Sequence, residues 1–345
     1  MRFRLVLSVI IVTLSLVIAD SNSLVASTVT KTKSPKIGFV LSTTQEERYQ
    51  KDRKVFEETV TSLGGSVLFV TCENNEQLQL SEVEALISQG IKVLVLQPVN
   101  GETASVLVKL AKKRGIAVVN YDRLIKKAPL DAYITEDSEK VGELQAEAAV
   151  RFTNYKGNYV ILMGQAEHSV TEARTAGVLK VLSKYPEIKI VVKEYHNAWS
   201  PSLAKQTSLK ALSKFDNQID AIIANNSGMA HGAVQAVEER KLLGKVFIAG
   251  ADGDLGAIRD MLSGKQAFDV FVSITDMARR AAEIAMNLTN KSAFKYDSLT
   301  DNELMKVKTI NTPVYPISKN DIEERILKTG FHSREAVYGK PVPAE

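Results

Sequence analysis

From Lys36 onward the chain alternates short β-branched runs with longer amphipathic ones: KIGFVLS then residues 45–63, SVLFVT then 78–89, VLVLQP then 102–114, and IAVVNYD. Strands that alternate with helix-length segments build a parallel sheet whose connections cover both of its faces. In the second helical segment Leu80, Val83 and Ile87 recur at helical spacing and Gly90 follows as a stop, and Gly115 ends the third in the same way. After Arg123 the rhythm restarts with AYIT, NYVILMG, IKIVVKEY, DAIIANN, KVFIAGADG and FDVFVSI, each followed by a helix-length stretch. The restart predicts an α/β protein of two similar lobes, and 345 residues with 45% apolar content suffice for two cores. A helix-like stretch at 277–287 and an extended one at 307–317 exceed what a second lobe needs and are assigned to crossings, giving a hinge of several strands. The first lobe is expected at 36–123 plus 272–310, the second at 124–271 plus 311–340.

In such open sheets ligands bind beyond the carboxyl ends of the strands. Polar and aromatic residues recur at those places here: Arg48 and Tyr49, Asp122 and Arg123, Trp199, Asn226 and Asp252. Guanidinium, carboxylate and amide groups can hydrogen-bond several hydroxyls at once, and an aromatic face covers the C–H side of a sugar ring. Each residue also has an ordinary structural use. Trp199 lies in NAWSPS among polar residues, where a core tryptophan is uncommon, so stacking is favoured; Tyr49 fits a stacking ring or a core cap equally well. Asp252 is expected to face ligand while Asp254 caps the helix that begins at Leu255.

Ahead of the fold stands MRFR, an uncharged and largely apolar run at residues 5–19 and a polar Asp20-Ser21-Asn22-Ser23, the layout of an export signal. Residues 1–26 are expected to act as a cleaved signal peptide, or as an anchor lengthened by Leu24-Val25-Ala26, with 27–35 as a tether. The expected location is therefore the periplasm or the outer face of the cell membrane. The one cysteine, Cys72, permits no internal disulfide. A net charge of +4 without a basic stripe gives no footing for nucleic acid, and residues 1–35 hold a signal where a repressor's DNA-binding headpiece would be needed. No GxGxxG follows a strand, and no GxxxxGK[ST], HExxH, GxSxG or Cys/His metal spacing occurs, so no cofactor or metal is expected and a dehydrogenase reading lacks its phosphate turn.

The segment Glu47-Arg48-Tyr49-Gln50-Lys51-Asp52-Arg53, the later Tyr121-Asp122-Arg123, the run Lys140-Val141-Gly142-Glu143-Leu144-Gln145-Ala146, and Ala249-Gly250-Ala251-Asp252 resemble the xylose-binding branch of the ribose/galactose-type solute-binding proteins. The likeness covers nearly all of residues 36–335. It implies two Rossmann-like lobes closing on one sugar, a pentose with D-xylose as the expected choice, and no enzymatic activity. It further implies that Arg48, Asp122, Arg123, Asn226 and Asp252 bind hydroxyls, that Tyr49 and Trp199 stack, and that Glu167 and His168 border the cleft. The implied membrane partner is an ABC permease or, for a tethered receptor, a sensor histidine kinase. Several positions depart from the pattern: the loop Gln165-Ala166-Glu167-His168-Ser169-Val170 replaces an aspartate and asparagines, Val272 stands at a lysine position, Tyr49 at a tryptophan position and Ser227 at an aspartate position.

Overall fold

The computed structural model describes residues 34–45 and 47–339. The signal and most of the tether expected at residues 1–35 lie outside them, and no helix among the described residues is long and apolar enough to cross a membrane. The described residues begin with β1 (Lys36–Leu41), α1 (Glu47–Ser62), β2 (Ser66–Thr71), α2 (Glu76–Ser88), β3 (Val93–Leu96), α3 (Ser105–Lys113), β4 (Ala117–Tyr121) and β5 (Ala132–Glu136). They continue with α4 (Ser138–Phe152), β6 (Gly157–Met163), α5 (Ser169–Leu182), β7 (Ile188–Tyr195), α6 (Pro201–Lys214), β8 (Ala221–Ala224), α7 (Ser227–Glu239), β9 (Phe247–Ala251), α8 (Leu255–Leu262) and β10 (Phe268–Val272). Then come α9 (Ile274–Thr289), β11 (Ser298–Asp301), β12 (Lys306–Thr312), β13 (Val314–Ile317) and α10 (Arg334–Tyr338).

Two sheets result, ordered β11-β12-β5-β4-β3-β1-β2 and β13-β10-β9-β8-β6-β7. Counted from its own first strand, each carries the 2-1-3-4-5 order of a doubly wound sheet, so each has a topological switch point beside its first strand. The β-branched runs account for the central strands: Val93, Leu94, Val95 and Leu96 in β3 are fully buried, as are Ala221, Ile222, Ile223 and Ala224 in β8. Helices cover both faces of these strands, which is why they read as continuous apolar runs rather than alternating ones.

Among the described residues the chain passes between the sheets three times, after Glu136, after Val272 and at Pro313. The first crossing comes later than the restart of the rhythm suggests. AYIT at β5 does not open the second lobe but pairs in parallel with β4, Val119 opposite Ala132 and Tyr121 opposite Ile134, so residues 124–136 lie with the first sheet. The connection from β4 to β5 contains no helix, which removes the signal that would have marked β5 as the last strand of its lobe. The extended 307–317 segment is two strands. Pro313 cannot donate a ladder hydrogen bond, and the chain leaves β12, parallel to β5, to pair antiparallel with β10 as β13.

Candidate functional site

The carboxyl ends of both sheets face a narrow cavity lined by Arg48, Tyr49, Asp122, Arg123, Val170, Arg174, Trp199, Asn226, Asp252 and Asp254. All seven principal residues expected from the sequence are among them. Arg48 and Tyr49 lie in the first turn of α1, Asp122 and Arg123 follow β4, Trp199 follows β7, Asn226 caps α7 and Asp252 follows β9.

The first-lobe wall is a buried network built around Gln97, which follows β3. Its Nε2 donates to Asp122 Oδ2 at 2.7 Å and to the Tyr49 hydroxyl at 3.3 Å, while its Oε1 accepts from the Ser42 backbone N–H and hydroxyl. Arg123 donates to the Tyr49 hydroxyl and to Ser42 Oγ, both at 3.0 Å. These bonds fix Asp122 and Arg123 with their side chains 3% and 4% exposed or less on the cavity wall. Arg48 reaches Asp122 Oδ1 and Asp52 Oδ2 only at 3.5 Å, beyond good hydrogen-bond length. Arg48 Nε and Nη2 and Asp122 Oδ1 consequently have no hydrogen-bond partner among the described residues. Such buried polar atoms carry a desolvation cost that a hydroxyl-rich ligand would relieve.

Electrostatics sharpen the contrast between donors and acceptors. Burial alone would raise the Asp122 carboxyl, but Arg48 and Arg123, with the Gln97 hydrogen bond, hold it below the usual carboxylate range. Asp52, on the far side of Arg48, goes the other way: burial pushes it up to about 7 against the pull of Arg48 and the Tyr121 hydroxyl. Asp269, beneath the second-lobe wall, also rises to about 7, first through burial and then through the neighbouring Asp252 charge.

The second-lobe wall contains a residue that sequence reasoning missed. Arg174 on α5 is 1% exposed and donates to Asp252 Oδ1 at 2.7 Å, to Glu136 Oε1 at 2.9 Å and to the Asn225 carbonyl. Nothing local marks it, because it lies on a helix at a position that reads as a solvated arginine, and only the strand ends around it disclose its use. Asn226 spends its Oδ1 on the Met229 N–H as the α7 cap. Asp254 stands at the N-cap position of α8 and, like Asp252, lines the cavity.

Trp199 is buried on one side by the apolar cluster of β6, β8, α6 and α7 and opens on the other to the cavity. A Cβ at Gly164 would lie 2.4 Å from its ring, so glycine there is a condition of its position. Ala198 and Trp199 both hold left-handed backbone, φ 53° and 54°, as do Asp122 at 67° and Asp252 at 104°. Non-glycine residues in this region persist where the surroundings over-determine them, which is common at ligand sites.

Glu167 and His168 do not line the cavity. Glu167 is exposed at the loop tip, and His168 is 3% exposed behind Trp199, whose Nε1 donates to its Nδ1 at 3.1 Å. Of the departures noted in the sequence, Val272 is fully buried in apolar packing, Ser227 donates to the Ala251 carbonyl, and Gln165 accepts from the Ala198 N–H. Among the described residues no group of histidine, cysteine, aspartate or glutamate is arranged to hold a metal.

Comparison with known proteins adds the following. A family model described as a periplasmic binding protein domain matches residues 37–293. The chain is 40% identical over 304 residues to the D-xylose-binding periplasmic protein of Escherichia coli (strain K12), covering 87% of this chain and 92% of that one. It is 37% identical over 309 residues to the protein of the same name from Haemophilus influenzae, covering 89% and 93%. A solved ABC transporter periplasmic solute binding protein from Actinobacillus succinogenes with bound D-allose superposes with a TM-score of 0.75 at 26% identity, covering 84% and 99%. One from Clostridium phytofermentans with bound β-D-glucose superposes at 0.81 and 23% identity, covering 88% and 99%, and speaks to the fold alone.

Proposed function

We propose that this chain, which belongs to the periplasmic binding protein family and is a solute-binding protein rather than an enzyme, takes up D-xylose or a closely related pentose between its lobes and presents the closed form to an ABC permease. The observation that carries this reading is the cavity on which both sheets converge their strand ends, with the under-bonded Arg48 and Asp122 on the first-lobe wall and Asp252 and the Trp199 ring on the second. Arg48, Arg123, Asp122, Asn226 and Asp252 bind ring hydroxyls, and Trp199 covers the C–H face. Tyr49 serves mainly through its hydroxyl, which accepts from Arg123, and its ring belongs to the first-lobe core. A ligand touching both walls binds the closed arrangement better than an open one and shifts the population toward it.

Thermal shift of the purified protein against xylose, ribose, arabinose, galactose and glucose tests the ligand, since a ligand that binds only the folded state raises Tm by mass action. A selective rise with xylose that disappears in Asp252→Ala and Trp199→Ala supports the reading; no rise with any sugar overturns it. The apolar residues 5–19, extended by Leu24-Val25-Ala26, favour a second use of the same cleft, in which a retained anchor keeps the protein beside a sensor histidine kinase. Capture from membranes with and without sugar separates the two: permease subunits support transport, and kinase recovery supports sensing.

A further inference from the structure

His168 lies at the N-terminal end of α5, and it makes two contacts that fix its chemistry. An indole N–H can only donate, so the Trp199 Nε1 bond at 3.1 Å requires His168 Nδ1 to be the accepting nitrogen. In the neutral ring the proton then sits on Nε2, which lies 3.3 Å from the Val99 carbonyl and donates to it. Val99 is in the first lobe, just beyond β3, and its loop is anchored: Gln79 accepts from the Val99 N–H and donates to the Gln97 carbonyl, both at 2.9 Å. Trp199 and His168 are in the second lobe. One imidazole therefore spans from the aromatic wall of the cavity to a fixed point on the opposite lobe, its ring 29° from the indole plane with centroids 6.1 Å apart.

We propose that His168 is a positioning residue that couples the orientation of the Trp199 ring to closure of the lobes. The coupling rests on the sugar-binding reading above and deepens it. With the lobes together, Nε2 is committed to Val99, Nδ1 is committed to the indole, and the indole is held against Gly164. With the lobes apart, the Val99 bond is lost, the imidazole can change tautomer, and the indole loses its fixed acceptor. Ligand stacking and lobe closure thus become one event.

The arrangement also has a proton sign. A protonated imidazole would present a second donor to the indole N–H. The charged groups that face it are Arg123 and Asp122 from the first lobe; burial first and then Arg123 push it down to about 3, against the Val99 carbonyl and Asp122. In an open form the imidazole returns toward its ordinary value near 6.5, so the open form binds the proton and acid favours opening. Affinity is expected to fall as pH drops below about 6.5.

The test uses the purified chain, whose sole tryptophan is Trp199, with the sugar that raises Tm in the panel. Wild type, His168→Gln and His168→Phe are titrated by calorimetry and by tryptophan emission between pH 5 and 8. His168→Phe, which keeps a planar ring but neither hydrogen bond, is expected to bind about tenfold more weakly, the loss of the one good hydrogen bond made across the lobes on closure, with shifted emission. His168→Gln retains an acceptor and a donor, recovers most of the affinity and loses the acid dependence. Wild-type affinity and emission in a folded His168→Phe would overturn the proposal. Nitrogen NMR of the wild-type imidazole judges it without any variant, with a protonated Nε2 expected and a protonated Nδ1 overturning it. If no sugar binds wild type while the tautomer is as expected, the sugar-binding reading fails and the contact stands.

Discussion

Arg174 Nη2 lies 2.9 Å from Glu136 Oε1, a guanidinium on a helix of the second lobe meeting a carboxylate at the end of a strand of the first. Both side chains are essentially inaccessible, at 1% and 0%, and the same nitrogen also holds Asp252 at 2.7 Å. Burial would strip the charge from an isolated guanidinium, but the two carboxylates outweigh it and hold Arg174 above its ordinary value. One cation therefore neutralises an acidic group from each side of the cleft.

Removing that cation leaves two buried carboxylates without their counter-charge, Glu136 keeping only the Ser138 hydroxyl. Arg174→Met is expected to cost about 3–5 kcal/mol, the range for breaking a buried pair, read as a lowered urea midpoint. Glu136→Gln, which removes charge but keeps an acceptor, is expected to cost less.

Asp122 is the acceptor that Arg48 and Arg123 keep ionised. In Asp122→Ala the proposed sugar site loses an acceptor and Arg48 keeps only Asp52 beside it, so affinity is expected to fall by about ten- to a hundredfold, or about 1–3 kcal/mol. Calorimetric titration with D-xylose measures it, and an unchanged Kd would remove Asp122 from the site.

Packing beneath the aromatic wall is tight. Gly164→Ala places a methyl 2.4 Å from the Trp199 ring and 2.6 Å from Thr171 Oγ1. The ring must move, at a cost of about 1–3 kcal/mol for overpacking. Expected are a lower Tm, a shift in tryptophan emission and weaker sugar binding, all three in one variant.

Asp52 gives the protein a pH signature. Its carboxyl stands at about 7 in the fold against 3.8 for the free group. Between about pH 4 and 7 the folded state thus binds more protons than the unfolded one, and this residue's contribution makes stability fall as pH rises through that window and level off above it. His168, depressed to about 3, acts in the opposite direction between about pH 3 and 6.5. The difference between wild type and Asp52→Asn isolates the first effect. Urea midpoints from pH 4 to 8 are expected to decline less steeply in the variant, and parallel profiles would refute the assignment.

The α/β class, the two-lobed repeat and the seven principal cavity residues were legible in the sequence because a buried parallel strand must be apolar along its length. The first polar residue after such a strand therefore announces the sheet edge where ligands bind. Tyr121 before Asp122 and Ala251 before Asp252 read this way. What the local pattern could not carry is pairing between segments distant in the chain. β5 looks the same as the opening of a new lobe until its ladder with β4 assigns it, and Pro313 marks a change of sheet only once β12 and β13 have their partners. Arg174, Glu136 and His168 are ordinary polar residues on their own elements. Their charge states, their burial and the contacts that join the two lobes arise only when both sheets bring their edges together, because desolvation and close approach are properties of the assembled interior and not of any stretch of chain.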